Sequence, residues 1–101
     1  MALHHLGHME RITITLWDSN PARIAETEKN IHLAFAEAGK KYSLIIMSEL
    51  PLIGRRGLAG KLPVLEIGKN IWSWKQGEAI PKHAISLLIA HIEQGDASSP
   101  A

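Results

Sequence analysis

The chain has 101 residues, of which 46% are hydrophobic, and it carries 11 basic and 10 acidic side chains. This is the size of one domain with a single core, and a net charge of +1 excludes the strongly basic surface that attracts nucleic acid or an anionic membrane. Cysteine is absent, which excludes disulfides, thiol catalysis and thiolate metal sites.

The first nine residues, MALHHLGHM, show no periodicity and predict a flexible tail. An alternative is that the tail histidines His4, His5 and His8 bind Cu²⁺ or Ni²⁺. If Met1 is removed, the new terminus Ala-Leu-His places the imidazole of His4 third, which suits square-planar binding. The start lacks the long apolar stretch of a signal peptide, and no apolar run reaches the roughly 20 residues that a bilayer requires. We therefore expect a cytoplasmic protein without a membrane-spanning segment.

The first half of the chain predicts a strand, a helix and a second strand. RITITLW, residues 11–17, alternates apolar and polar positions, which is typical of a strand. Ser19 or Asn20 then suits a helix N-cap, Pro21 suits the first helical turn, and Gly39 suits the C-cap. YSLIIM, residues 42–47, is almost continuously apolar and predicts a strand that is buried on both faces.

The second half predicts a short helix, a hairpin and a last helix. SELPLIGRRGLAG contains three glycines and a proline and favours a short helix at most. The strand at residues 64–67, the turn GKN and the strand IWSWK form a hairpin, and a helix runs from Pro81 to Gly95. The prediction is an α/β domain over residues 10–95, with a four-stranded mixed sheet flanked by helices and a disordered tail at residues 96–101.

Pro63 stands at the start of an apolar strand, although proline has no N–H to donate to a sheet. The element order, with Leu62-Pro63 before the third strand, resembles the thioredoxin-like superfamily, and in particular its small "redox-active disulfide" proteins. The resemblance covers roughly residues 10–94. It implies a cis Leu62–Pro63 peptide that lies beside the loop between the first strand and the first helix.

The loop that carries the redox cysteines in that family has none here. It reads WDSNPAR, residues 17–23. The hydroxyl of Ser19 is too weakly acidic to replace a thiolate without an adjacent base. The resemblance therefore implies a non-redox binding or protein-interaction module, with no catalytic residue, cofactor or metal.

A second resemblance suggests an alternative function. GKLPVL followed by QGEAI is similar to the N-terminal domain of glutathione transferases. Leu62, Gln76 and Gly77 occupy the positions that hold glutathione in that family, although Gln76 replaces an acid and Gly77 a serine. This resemblance implies a small enzyme that binds glutathione or another thiol cofactor.

The N-terminus of the first helix is the predicted ligand site. Its free N–H groups favour an anion, and Arg23 and Lys61 would add positive charge at the surface. The plainer interpretation is that Asn20 caps the helix and that water solvates the basic side chains. If a small anion or a partner peptide binds here, we expect it to contact Asp18, Ser19, Asn20, Arg23, Lys61, Leu62 and Pro63.

Trp72 and Trp74 share one face of the predicted fourth strand. Tryptophan is enriched in protein interfaces, so the pair is a candidate contact for a partner protein. An open edge on this strand would also allow a homodimer. The alternative is that both side chains belong to the core face of the strand.

Overall fold

The computed structural model describes residues 11–98. The expected N-terminal tail with its three histidines lies outside this range, as do the last three residues of the chain. Within it the fold is α/β, with the element order predicted from the sequence. The elements are β1 (Ile12–Trp17), α1 (Pro21–Ala38), β2 (Tyr42–Met47), α2 (Leu50–Arg55), β3 (Val64–Ile67), β4 (Asn70–Ser73) and α3 (Lys82–Ser98).

The four strands form one mixed sheet in the order β2-β1-β3-β4. β1 pairs in parallel with β2, with Ile12 opposite Tyr42, as a helical crossover between them requires. It pairs antiparallel with β3, where Trp17 lies opposite Val64, and β3 continues antiparallel into β4. Within residues 11–98 the sheet therefore ends at β4, as predicted, and at β2.

The helices cover the two faces of the sheet unequally. α1 and α3 pack on one face, where their apolar side chains enclose those of β1 and β3. α2 has six residues and covers only one end of the opposite face. The main core contains Ile14, Leu16, Ile31, Ala34, Phe35, Leu65, Ile80, Ile85, Leu88 and Ile89. The smaller cluster under α2 contains Trp17, Ile53, Leu58, Leu62 and Val64.

The prediction that β2 is buried on both faces is wrong. Ile45 is 47% exposed and Ile46 is 38% exposed. Tyr42 and Leu44 pack on the main core, and Met47 reaches the cluster under α2. The six residues of α2 are too few to cover the middle of an edge strand, so its apolar run stays partly in contact with solvent.

The predicted ends of α1 are confirmed, whereas the predicted end of α3 is wrong. The side chain of Asn20 accepts a hydrogen bond from the N–H of Arg23, and Gly39 closes the helix with a left-handed φ of 68°. α3 continues through Gly95 to Ser98. A glycine inside a helix costs about 1 kcal/mol, which by itself does not end the helix.

Candidate functional site

The loop after β1 and the segment before β3 lie side by side, as predicted. The Leu62–Pro63 peptide is cis. Val64 is opposite Trp17 in the sheet, and Leu62 packs in the same apolar cluster as Trp17. Leu62 and Pro63 are buried here, while Lys61 is exposed.

A buried carboxylate organises the loop after β1. Asp18 has no exposed surface. Its Oδ1 accepts from the backbone N–H of Ser19 at 2.8 Å and of Asn20 at 3.3 Å. Arg23 donates from Nε to Oδ2 at 2.8 Å and from Nη2 to Oδ1 at 2.6 Å. These bonds to Asp18 raise the pKa of Arg23 above its usual value, because they stabilise the charged guanidinium.

Arg23 is therefore not the free surface cation that the sequence suggested. Its side chain is 20% exposed and forms a salt bridge with Asp18. The N–H of Arg23 also bonds to the side chain of Asn20. An anion at this helix N-terminus would compete with Asp18 and Asn20, which already satisfy these donors.

The backbone at Leu62 is also engaged. Its carbonyl accepts a hydrogen bond of 2.9 Å from the N–H of Gly77. Gln76 and Gly77 are themselves exposed. Two of the three positions that resemble a glutathione site, Leu62 and Gly77, are thus bonded to each other within the chain.

A polar cluster around Glu66 was not predicted from the sequence. Trp17 donates from Nε1 to Glu66 Oε1 at 2.9 Å, and Arg56 Nη2 lies 3.2 Å from Glu66 Oε2. The guanidinium of Arg56 lies 5.0 Å from the centre of the Trp17 ring. Two hydrogen bonds lower the pKa of Glu66, because they stabilise its charged carboxylate. The bond from Trp17 has the larger effect and the bond from Arg56 the smaller one. A single glutamate inside the apolar strand VLEI was the available sequence signal.

An apolar groove with a volume of about 350 Å³ lies between β4 and α3, and we name it the β4–α3 groove. It contains both tryptophans that the sequence singled out as interface candidates. Trp74 follows the end of β4 instead of lying inside the strand. The lining residues are Leu65, Trp72, Ser73, Trp74, Ile80, Ala84, Ile85, Leu87, Leu88 and His91.

Two histidines of α3 contact the tryptophans edge to face. The rings of Trp72 and His91 are 5.1 Å apart, and those of Trp74 and His83 are 5.7 Å apart. Lys75 Nζ lies 6.0 Å from the centre of the Trp74 ring. The indole N–H of Trp72 is buried and has no hydrogen-bond partner in the described part of the chain. A buried donor without an acceptor costs about 1–3 kcal/mol.

α1 fixes the segment that enters α3, and with it one wall of the groove. The N–H of Ile80 donates to the buried hydroxyl of Thr27 at 3.2 Å. The carbonyl of Ile80 accepts from Asn30 Nδ2 at 2.9 Å. Both backbone groups of a groove residue are therefore held by α1. The sequence pattern showed neither contact, because about fifty residues separate the partners.

No protein family, curated protein or solved structure matches the chain.

Over residues 11–98, no helix is both long enough and apolar enough to span a bilayer. The same residues contain no group of three or more histidine or acidic side chains placed to hold a metal ion.

Proposed function

We propose that this chain is a cysteine-less thioredoxin-fold protein that acts as a non-redox protein-interaction module. Its partner binds in the β4–α3 groove. The thioredoxin-like assignment is supported by the β-α-β-α-β-β-α order and by the position of Leu62-Pro63 directly before β3. The non-redox assignment is supported by the absence of any cysteine that could supply a thiolate.

The observation that carries the proposal is an apolar groove beside the open edge of a sheet. Leu87 is 67% exposed and lines the groove, and Trp74 is 36% exposed beside it. Large apolar side chains gathered at a concave surface are typical of interaction sites, and tryptophan is enriched in their energetic centres. The loop around Asp18 is a weaker candidate for a binding site, because its charges and N–H groups are paired within the chain.

Affinity capture with two matched variants tests the proposal. Leu87→Glu places a charge in the groove, while Leu33→Glu changes a leucine of α1 that is 43% exposed and outside the groove. We expect the wild type and Leu33→Glu to capture the same partner from a cell extract and Leu87→Glu to lose it. Capture of identical proteins by both variants would refute the groove as the binding site.

A glutathione titration separates this proposal from the enzyme alternative. Because the Leu62 carbonyl already bonds to Gly77, we expect no saturable NMR shift at Leu62, Gln76 or Gly77 with millimolar glutathione. A thiol-disulfide reductase assay should likewise show no turnover. Saturable shifts at these three residues would favour the glutathione-binding enzyme instead.

A further inference from the structure

We propose that the β4–α3 groove takes an extended, acidic segment of a partner protein, which pairs with the outer edge of β4 as a fifth strand. This inference rests on the proposed function, since it names the kind of segment that the groove binds. Three features carry it: the direction of the free backbone groups of β4, the apolar groove beside them, and the charge around the groove.

The hairpin geometry determines which backbone groups of β4 are free. Gly68 has a φ of 62° and begins a two-residue turn, and the residues on either side, Ile67 and Asn70, lie opposite each other. A turn of this kind joins its flanking residues by hydrogen bonds, and bonded and non-bonded pairs then alternate along an antiparallel ladder. The N–H and C=O groups of Ile71 and Ser73 therefore point away from β3.

The outer edge of β4 is open to another chain. β4 ends the sheet, and no strand within residues 11–98 lies beyond it. A strand added there would place alternate side chains on the α3 side of the sheet, where the groove begins. The volume of about 350 Å³ is at the lower end of ligand pockets, and its lining is largely apolar. The groove can therefore take an apolar side chain from the added strand.

The charge around the groove favours an acidic partner. Glu78 is the sole acidic residue between positions 69 and 91, against three lysines. Lys82 pairs with Glu37, whereas Lys75 and His83 lie against Trp74 and His91 lies against Trp72. A second copy bound through β4 would bring lysines of like charge together. Carboxylates of an acidic segment would instead meet opposite charge.

The first test uses two pools of capped heptapeptides added to the full chain. Both pools alternate Val, Ile, Leu or Phe with polar residues; one uses Asp, Glu and Thr, and the other uses Lys, Arg and Thr. We expect the acidic pool to bind at least about tenfold more tightly at low salt, and to weaken as salt screens the charges. NMR should show shifts at Trp72 and Leu87 and slower exchange of the Ile71 and Ser73 amides.

The second test compares Ser73→Pro with Ser73→Ala. Ser73 is exposed, and proline removes its outward N–H without removing a bond to β3, whereas alanine keeps that N–H. We expect Ser73→Pro to lose at least about tenfold in affinity and Ser73→Ala to change it by less than about twofold. If the proline variant fails to fold, amide exchange in the wild type still shows whether the N–H of Ser73 bonds to the bound peptide.

Each of the other outcomes would overturn a different part of the inference. Binding in the groove without protection of Ile71 and Ser73 would refute strand addition but leave the proposed function standing. Equal binding of the basic pool would refute the acidic character of the partner. Self-association through β4 would show that the occupant is a second copy of this chain. Binding at residues 17–23 would refute the proposed function as well. If neither pool binds at millimolar concentration, the inference fails, and the capture experiment with Leu87→Glu decides the function.

Discussion

Asp18 stabilises its loop from a buried position at which a charge would otherwise be unfavourable. Two backbone N–H groups and the guanidinium of Arg23 satisfy its oxygens. Removal of the carboxylate would leave Arg23 without its partner and two N–H groups without an acceptor. Such a loss usually costs more than the intact pair contributes, because a partly buried charge is left uncompensated.

We expect Asp18→Ala to lower the free energy of unfolding by roughly 3 kcal/mol, near the low end for a broken buried ion pair because Arg23 can turn towards water. Asp18→Asn keeps an oxygen acceptor and should cost less. Urea unfolding at pH 7 measures both. If Asp18→Ala unfolds at the same urea concentration as the wild type, the salt bridge does not hold the loop.

Glu66 should give the protein a specific dependence of stability on pH. Its folded pKa is lowered, so its contribution is complete above the unfolded pKa of about 4.3 and is lost as the pH falls through the folded pKa. Its side chain is 23% exposed, so we expect Glu66→Gln to cost about 1 kcal/mol at pH 7. The difference from wild type should disappear in acid. Urea unfolding from pH 7 to pH 3 measures it, and a constant difference would contradict the assignment.

At the scale of the elements, local sequence patterns correctly predicted those features of the strands, helix caps and turns that depend only on residues close in the chain. The alternation of β1, the capping residues of α1 and the turn at Gly68 each specify backbone geometry within a few residues. The burial of β2 was not predictable in this way, because its apolar run is typical of a central strand as well as of a poorly covered edge. Which of the two occurs depends on how much of the sheet α2 covers.

The contact between α1 and the start of α3 is a further non-local feature. We expect Thr27→Val to destabilise the fold by about 1–3 kcal/mol, because it leaves the buried N–H of Ile80 without an acceptor. Thr27→Ser keeps the hydroxyl and serves as the matched control. Amide exchange at Ile80 should accelerate in Thr27→Val and stay slow in Thr27→Ser. Unchanged exchange in both variants would mean that the hydroxyl does not hold this segment.

At the scale of the whole molecule, the sequence predicted half of the candidate site. Trp72 in the edge strand and Trp74 just after it were recognisable, because tryptophan beside an open edge suggests a contact. The opposite wall, formed by Leu87 and His91 of α3, was not predictable, because the packing of α3 against the sheet decides which helical face meets β4. The loop at Asp18 shows the converse. Its residues lie together as predicted, and Asn20 caps α1 as predicted, but the bonds that Asp18 accepts were not visible in the sequence.

The two edges at which the sheet ends within the described part of the chain differ in how they are protected. β4 is flanked by Lys69 and Lys75, and charged residues near an edge discourage non-specific pairing. β2 has no charged residue and no proline, and Ile45 in its middle is 47% exposed. An uncharged apolar strand at an open edge is a typical site of aggregation. We therefore expect β2, and not β4, to limit the concentration at which the chain stays monomeric.

Ile45→Lys tests this expectation. The lysine can extend into solvent while its stem keeps part of the packing, so the free energy of unfolding should fall by no more than about 1 kcal/mol. Leu87→Lys is the matched control, since it adds the same charge at an exposed apolar position on α3. Light scattering over a concentration series should show aggregation delayed by Ile45→Lys and little changed by Leu87→Lys. If Leu87→Lys gives the larger delay, self-association runs through the β4–α3 groove, and a second copy of the chain must be counted among its occupants.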